Sequence, residues 1–510
     1  MRGTKKIRER GKNGMQGRED LRSWIDLLES KGELRRVKTE VDWDREIGAI
    51  TRLVANKKGP ALLFENIKDY KDARCTKLFT NGLGSRSRVA MAIGLPPDTS
   101  FKKLTEVIRE RFTKPVSSKL VRTGPIKENI VSGEDVDLFE FPVPKWHHQD
   151  GGRYINTSCS VVTRDPESGE LNVGTYRGMV ADRRSIGVLL ATTQHWGCHF
   201  SKYSAMKKPM PVAVVYGWHP TLLMTSTCPI QHLGYSEYEL AGALRQGPME
   251  LVRCETSDLL VPADAEIVIE GSISPNREDF VMEGPFGEYP GYYGGSKSPK
   301  PCIKVDCITH RNNPIFRGSL EGTSPGKWCE SPYYVVPCLS AALWNALASV
   351  GIPGIVDVWS PPVTCATHVR VRIRKIYRGQ AQQVANAIWG MWSAGWFFKH
   401  VVVVDEDIDI RDDEAVEWAI AYRVNAGMDD ILFFKRTFGS LLDPSVPLGE
   451  RDVLKYGQGK WTRVLVDATK NWELGKQEQY GGELYPPLAT EIEPDIEKFV
   501  KKRWKEYELD

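Results

Sequence analysis

Ala265-Glu-Ile-Val-Ile-Glu-Gly-Ser-Ile273 reads as a strand, and it stands among six others of the same texture. The others are Ile155–Thr163, Leu171–Val180, Val188–Thr192, Pro211–Gly217, Met249–Glu255 and Cys302–His310. Many short strands at close spacing define a barrel or a sandwich. One helix interrupts them: Ser236-Glu-Tyr-Glu239 is a capping box, followed by Leu240, Ala243 and Leu244. Upstream, residues 127–153 form a connector with Pro142, Pro144, His147, His148, Gly151 and Gly152. Before it the pattern is mixed α/β. Asp20–Gly32 is an amphipathic helix with Leu21, Trp24, Ile25 and Leu28 on one face, Ala61–Phe64 is a short strand, and Val89–Ile93 and Phe101–Arg111 are helical. Downstream, Val401–Val404 is an unbroken apolar run, as in a buried parallel strand. Asp413 is placed to cap a helix bearing Ala415, Trp418, Ala419 and Tyr422, and a last helix spans about Asp495 to Glu508.

At 510 residues, two or three domains are expected. We divide the chain into a basic disordered tail (1–18), an N-terminal α/β domain (19–130), a central β domain (131–325) and a C-terminal α/β and oligomerisation domain (326–510). Lys plus Arg number 69 against 66 Asp plus Glu, a net charge of +3, so the body has no nucleic-acid or membrane signature. The exception is the tail, where Arg2, Lys5, Lys6, Arg8, Arg10, Lys12 and Arg18 oppose Glu9 alone, with no apolar segment of a secretory signal. Ten cysteines without a C-x-x-C pair argue against a thiolate zinc site, an iron–sulfur cluster or a disulfide framework, and fit a reducing cytoplasm. No run of 18 apolar residues is present to span a bilayer.

The strongest chemical signal is Glu283-Gly-Pro-Phe-Gly-Glu-Tyr-Pro-Gly-Tyr-Tyr-Gly-Gly295. Its Gly and Pro content forbids a regular helix or central strand, so two carboxylates sit on a tight loop. Phe286, Tyr289, Tyr292 and Tyr293 lower the polarity around them, and a carboxyl so placed resists ionising, as a proton donor at neutral pH must. In Asn172-Val-Gly-Thr-Tyr-Arg177, Arg177 can clamp a carboxylate or simply decorate a sheet. On an unbroken strand Asn172 and Arg177 face opposite sides, unless Gly174 marks a bulge. In Gln194-His-Trp-Gly-Cys-His199 the Gly breaks what would otherwise be a helical His pair, so His195 on its own reads as structural. Glu237 falls in a first helical turn, where an acid complements the helix dipole. Gly322-Thr-Ser-Pro-Gly-Lys327 is one residue short of a phosphate loop and lacks the following Ser or Thr.

Together these phrases, in this order and with Val261–Gly271, resemble the UbiD-like family of prenylated-FMN-dependent (de)carboxylases. The resemblance runs from about residue 20 to at least 450. It implies an N-terminal α/β domain, a central split β-barrel of flavin-reductase type and a C-terminal α/β domain. It implies a divalent metal, usually manganese, on Asn172, His195 and Glu237. It implies a potassium ion by Ser226, Thr227 and Glu237. Flavin contacts fall on Thr175, Tyr176, Arg177, Gln194 and, less closely matched, Lys399. The implied catalytic set is Arg177, Glu283 and Glu288; some relatives carry Asp at the last position, which also donates a proton. The implied reaction is reversible non-oxidative decarboxylation of an aromatic or α,β-unsaturated acid, with carbon dioxide or bicarbonate as partner. The implied partners are a flavin prenyltransferase that supplies the cofactor and a second copy or more of the chain, as a homodimer or homohexamer. Rival readings are a subunit of a multi-protein aromatic carboxylase, a nucleotide-dependent enzyme using Lys327 and Asp405–Glu406, and a non-enzymatic binding protein.

Overall fold

The structure, a computed structural model, describes residues 20–228, 234–391, 397–451 and 459–509. The basic 1–18 tail lies outside the described residues. The fold is mixed α/β. Leu21–Ser30 forms the expected helix: Leu21, Trp24, Ile25 and Leu28 are all buried, and Asp20 caps it reciprocally with Ser23. Next to it Leu34–Val37, Ala61–Phe64, Lys77–Thr80 and Ile315–Arg317 form a four-stranded sheet in that order. The last of these comes from far downstream and pairs parallel with Lys77–Thr80, tying the centre of the chain to its first block.

The central sheet runs Tyr154–Asn156, Gly178–Asp182, Ser185–Val188, Cys302–His310, Ile267–Ile273, Met210–Tyr216, Ser160–Arg164, Leu171–Gly174, with Asn129–Ser132 also on Cys302–His310. Every pairing is antiparallel and the ladder does not close on itself among the described residues, so the sheet is a curled half-barrel. Met210–Tyr216, Ile267–Ile273 and Cys302–His310 stand where the sequence put them.

Four expectations are corrected. Ile155–Thr163 and Leu171–Val180 are each two strands, broken at 157–159 and 175–177. The breaks have a cause: Thr175 N–H bonds the Ser226 carbonyl, and Thr157 Oγ1 accepts from Ser319 N–H, so both segments leave the ladder for other partners. Val188–Thr192 is not a strand beyond Val188 but a link into the next helix. Glu250–Arg253 belongs to a separate small sheet with Leu260–Pro262 and Lys119–Leu120.

The long helix Ser331–Ser349 has no counterpart in the sequence reading. It is apolar nearly all round and buried along most of its length, so it shows no amphipathic stripe. Behind it lies a five-stranded sheet in the order Ile355–Trp359, His368–Ile373, His400–Asp405, Gly459–Ala468, Ile431–Gly439. Its inner pairs are parallel and His400–Asp405 is buried, as the Val401–Val404 run implied. The helix Asp413–Arg423 is capped by Asp412, not Asp413: the Asp412 carboxylate accepts from Glu414 and Ala415 N–H, while Asp413 pairs with Arg370. Its buried face is Val416, Ala419 and Arg423; Trp418 and Tyr422 face outward. The last helix is Pro494–Lys502, shorter than expected, with a 3-10 turn at Trp504–Tyr507. All ten cysteines are free thiols, and among the described residues no helix is long and apolar enough to cross a membrane.

Candidate active site

A cavity of about 240 Å³ opens between the central sheet and the start of the Ser331–Ser349 helix. One wall is the end of the Leu171–Gly174 strand with Thr175, Tyr176 and Arg177. A second is made of three helix ends that bring Gln194 and His195, Ser226 and Thr227, and Glu237. A third carries Phe286, Glu288 and Tyr289, and the rest comes from Glu321, Ser331 and residues as distant as Leu441 and Leu442.

Arg177 sits between the two loop carboxylates. Its Nη2 donates to Glu283 Oε2 at 2.9 Å and its Nη1 to Glu288 Oε1. The Tyr154 hydroxyl donates to the other Glu283 oxygen at 2.8 Å. Glu283 therefore has both oxygens engaged and is fully buried, away from the cavity lining. Glu288 differs: it lines the cavity, and Arg177 engages only its Oε1. Burial raises the Glu288 pKa, Arg177 partly offsets this, and the Glu283 charge raises it again. The guanidinium is held charged, because Glu288 and Glu283 outweigh the burial that opposes its charge.

The loop geometry depends on Gly294. A methyl group there would lie 2.6 Å from Glu288 Cγ and 2.7 Å from Leu442 Cδ2, so only glycine leaves room for the carboxylate. Of the four loop aromatics, Phe286 is buried and packs 4.1 Å from the Tyr154 ring, and Tyr289 is half-buried. Tyr292 and Tyr293 are exposed and do not shield the acids, so the apolar enclosure expected of four rings comes from two, joined by Tyr154.

The chain from Asn172 to Arg177 turns by ending its strand at Gly174 rather than by a bulge. Tyr176 folds back so that its hydroxyl reaches Asn172 Oδ1 at 3.4 Å and its ring stacks on Trp196, centroids 4.2 Å apart and 3° from parallel. Glu237 Oε2 accepts from Val173 N–H at 3.2 Å, which sets this carboxylate beside Asn172. Its pKa is pushed up to about 8 by burial, which backbone amides offset in part. The Ser236–Glu239 capping box is present and fixes the helix that presents it. Ser226 Oγ lies 3.2 Å from Ser160 Oγ and 3.3 Å from Thr175 Oγ1.

The segment from His195 is a correction. His195–Ala205 is helical despite Gly197. Glycine is needed there because a side chain would strike the Ala191 carbonyl at 1.9 Å, so its presence marks close packing and not a break. His199 is thus on the same helix as His195 but does not line the cavity; it bonds Thr163 Oγ1 at 2.9 Å, and burial lowers its pKa to about 4. A histidine titrating near 6.5 when unfolded and near 4 when folded makes stability fall as pH drops through that window. The urea midpoint should therefore decrease between about pH 6.5 and 4, and His199→Gln should lessen the decrease; an equal fall in the variant would refute this source. Lys399 lies outside the cavity lining, bonded to Asp443 at 2.8 Å and Ser445 at 2.6 Å.

The sequence reading missed Tyr154, Glu321, Ser331, Leu441 and Leu442. They reach the site from separate segments, and no local spacing joins them. Only Glu321 had a signal, as the residue preceding the broken phosphate-loop motif.

An acid–arginine–acid cluster thus stands beside a cavity on an antiparallel half-barrel flanked by two α/β sheets, and comparison with known proteins assigns this arrangement to the three-domain carboxy-lyases. The chain belongs to the UbiD family. The family models that match are the 3-octaprenyl-4-hydroxybenzoate carboxy-lyase N-terminal domain at residues 25–108, the Rift-related domain at 119–324 and the C-terminal domain at 335–468. A phenolic acid decarboxylase of Sedimentibacter hydroxybenzoicus is 36% identical over 462 residues, covering 88% of this chain and 91% of the relative. The vanillic acid decarboxylase of the same organism, in its closed form, superposes with a TM-score of 0.84 at 33% identity, covering 97% and 100% of the two chains. Its open form gives 0.76 at 34% identity, over 96% and 99%. The UbiD-class enzyme HmfF of Pelotomaculum thermopropionicum, solved with FMN, gives 0.75 at 34% identity over 94% and 98%, and an evolved dimeric form of it was solved with prFMN.

Proposed function

We propose that this protein catalyses the reversible, non-oxidative decarboxylation of an aromatic or α,β-unsaturated carboxylic acid, using prenylated FMN in the cavity. The observation that carries this reading is the asymmetric cluster in which Arg177 bridges a fully engaged Glu283 and a cavity-facing Glu288. The relatives' activities as phenolic and vanillic acid decarboxylases and the flavin complexes of HmfF support it.

The residues present fit such a cofactor. An amide oxygen from Asn172, an imidazole from His195 and a carboxylate from Glu237 line one cavity, a donor set that suits manganese or a similar divalent ion. The helix that starts at His195 brings its N-terminal end, where the helix dipole favours a phosphate, to the cavity wall. Ser226, Thr227 and Glu237 offer oxygens for a potassium ion, and Thr175, Tyr176 and Gln194 line the wall a flavin would contact. Lys399 is kept as a flavin-side residue only if the Asp443 pair opens. The central domain, residues 131–325, carries these groups except Lys399, and the C-terminal domain, 326–510, joins copies into a homodimer or homohexamer. A flavin prenyltransferase supplies the cofactor, and the setting is cytoplasmic.

When bound, the prenylated flavin supplies the electron sink that no side chain offers for charge left on an sp² carbon. The protein supplies the rest. Arg177 orients the substrate carboxylate. Glu283, fixed by Tyr154, holds Arg177 in place. Glu288 carries its proton on Oε2, the oxygen not bonded to Arg177, and transfers it to the carbon that has lost carbon dioxide. The carboxylate left behind is stabilised by Arg177 until water returns the proton.

The test is co-expression with a flavin prenyltransferase, followed by the visible spectrum and metal content of wild type and His195→Ala. The wild type should be coloured and carry a divalent ion; the variant should lose both. A variant that keeps metal and flavin at wild-type levels would remove His195 from the site.

A further inference from the structure

The Glu288 proton donor is not the last acid on the cavity wall. Glu321 also lines it, together with Ser331 at the start of the long buried helix. The two come from segments unrelated to the Arg177 cluster, yet they lie beside it: Thr323 N–H donates to the Tyr289 carbonyl at 3.0 Å. The backbone of Glu321 is fixed from two sides. Its carbonyl accepts from Arg52 Nη2 at 2.6 Å and from His147 Nε2 at 3.0 Å, and the next carbonyl, Gly322, accepts from Arg52 Nη1 at 2.7 Å. The side chain is therefore aimed by a rigid frame. Oε2 accepts from Ser331 Oγ at 2.7 Å, and the Ser319 hydroxyl also bears on the carboxylate.

A carboxylate offers about four acceptor positions, and two serine hydroxyls leave capacity on this buried cavity wall that a ligand donor can fill. The neighbouring wall is Val335, Val336 and Phe286, suited to the face of a ring. We propose that Glu321 is a specificity-determining residue that accepts a hydrogen bond from a donor on the ring of the substrate acid, a phenolic hydroxyl or a ring N–H. This rests on the decarboxylase reading for the identity of the acid, but the geometry of the acceptor stands by itself. Burial pushes the Glu321 carboxyl up to about 7, with Ser331 and Ser319 lowering it and the charges of Glu330 and Glu288 raising it, so both an accepting and a donating form are accessible at neutral pH. A ring carrying a second carboxylate is disfavoured beside it.

The experiment compares hydroxybenzoates, substituted at position 3 or 4, with the fluorobenzoates of matching position, which are similar in size but cannot donate. Binding to the full-length protein is measured by calorimetry, and kcat/KM is measured on the flavin-loaded enzyme, for wild type, Glu321→Ala and Glu321→Gln. A hydrogen bond to a carboxylate predicts that wild type binds at least one hydroxy acid about tenfold to a hundredfold more tightly than its fluoro partner. Glu321→Ala should bring that ratio close to one, and Glu321→Gln, which keeps an acceptor oxygen, should retain part of it. The electronic effect of the hydroxyl on the ring cancels when the ratio is compared between variants. An unchanged ratio in Glu321→Ala, or no preference in wild type at either position, overturns the proposal. If wild type binds hydroxy acids selectively through Glu321 yet turns over none of them, the proposal on Glu321 stands and the decarboxylase reading falls.

Discussion

Glu288→Gln is expected to lower kcat by about 10²–10⁴-fold, the range typical of losing a positioned general acid. The amide preserves the volume of the side chain and an oxygen for Arg177 Nη1, so the loop should keep its shape. What disappears is the acidic proton on the oxygen that faces the cavity. Flavin spectrum and metal content should therefore match wild type while turnover collapses. The pH profile gives the sign. Glu288 must be protonated to act, and its pKa lies above the usual carboxylate range because burial outweighs Arg177. Turnover should thus fall as pH rises through that raised value, and the residual activity of the glutamine variant should not show this limb. Wild-type turnover in the variant would remove Glu288 from the chemistry.

Arg177→Ala should be costly in a different way. The three side chains are nearly sealed from solvent, with exposures of 6% for Arg177, 0% for Glu283 and 10% for Glu288, so the bridge is not screened by water. Removing the cation leaves two buried carboxyls facing each other, and breaking such a pair costs about 3–5 kcal/mol. The penalty depends on charge. Without Arg177 nothing offsets the burial that already raises the Glu288 pKa, so the loss is largest at neutral pH, where the unfolded acid is ionised. It shrinks as pH falls into the ordinary carboxyl range, where the unfolded chain also takes up protons. Urea unfolding at pH 7.5 and 5 should show a deficit at the first and much less at the second, with no decarboxylation at either. An equal deficit at both pH values would mean that Arg177 acts by packing alone.

The central sheet was legible where strands are regular. Ile267–Ile273 and Cys302–His310 are long and β-branched, and their boundaries follow from composition. Legibility failed where the chain leaves a ladder to serve the cavity. Thr157 and Thr175 suit a strand by propensity, and tertiary partners on Ser319 and Ser226 override it. Gly197 misled for the opposite reason, since a glycine required by close packing looks like a helix breaker. At the site, the Glu283–Gly295 loop declared itself through two acids in a Gly- and Pro-rich run. Asn172, His195 and Glu237 were joined only by resemblance, because the folded chain brings together residues 23 and 42 positions apart. Tyr154, Leu441 and Leu442 lacked even that signal. The buried helix Ser331–Ser349 hid because a helix apolar on every side has no period to read.

The most direct test is anaerobic turnover of an aromatic acid in D₂O by the flavin-loaded protein and by the flavin-free, metal-free protein. The account predicts that only the loaded protein releases carbon dioxide and that the product carries one deuterium at the carbon that bore the carboxylate. Equal turnover by the stripped protein would contradict it.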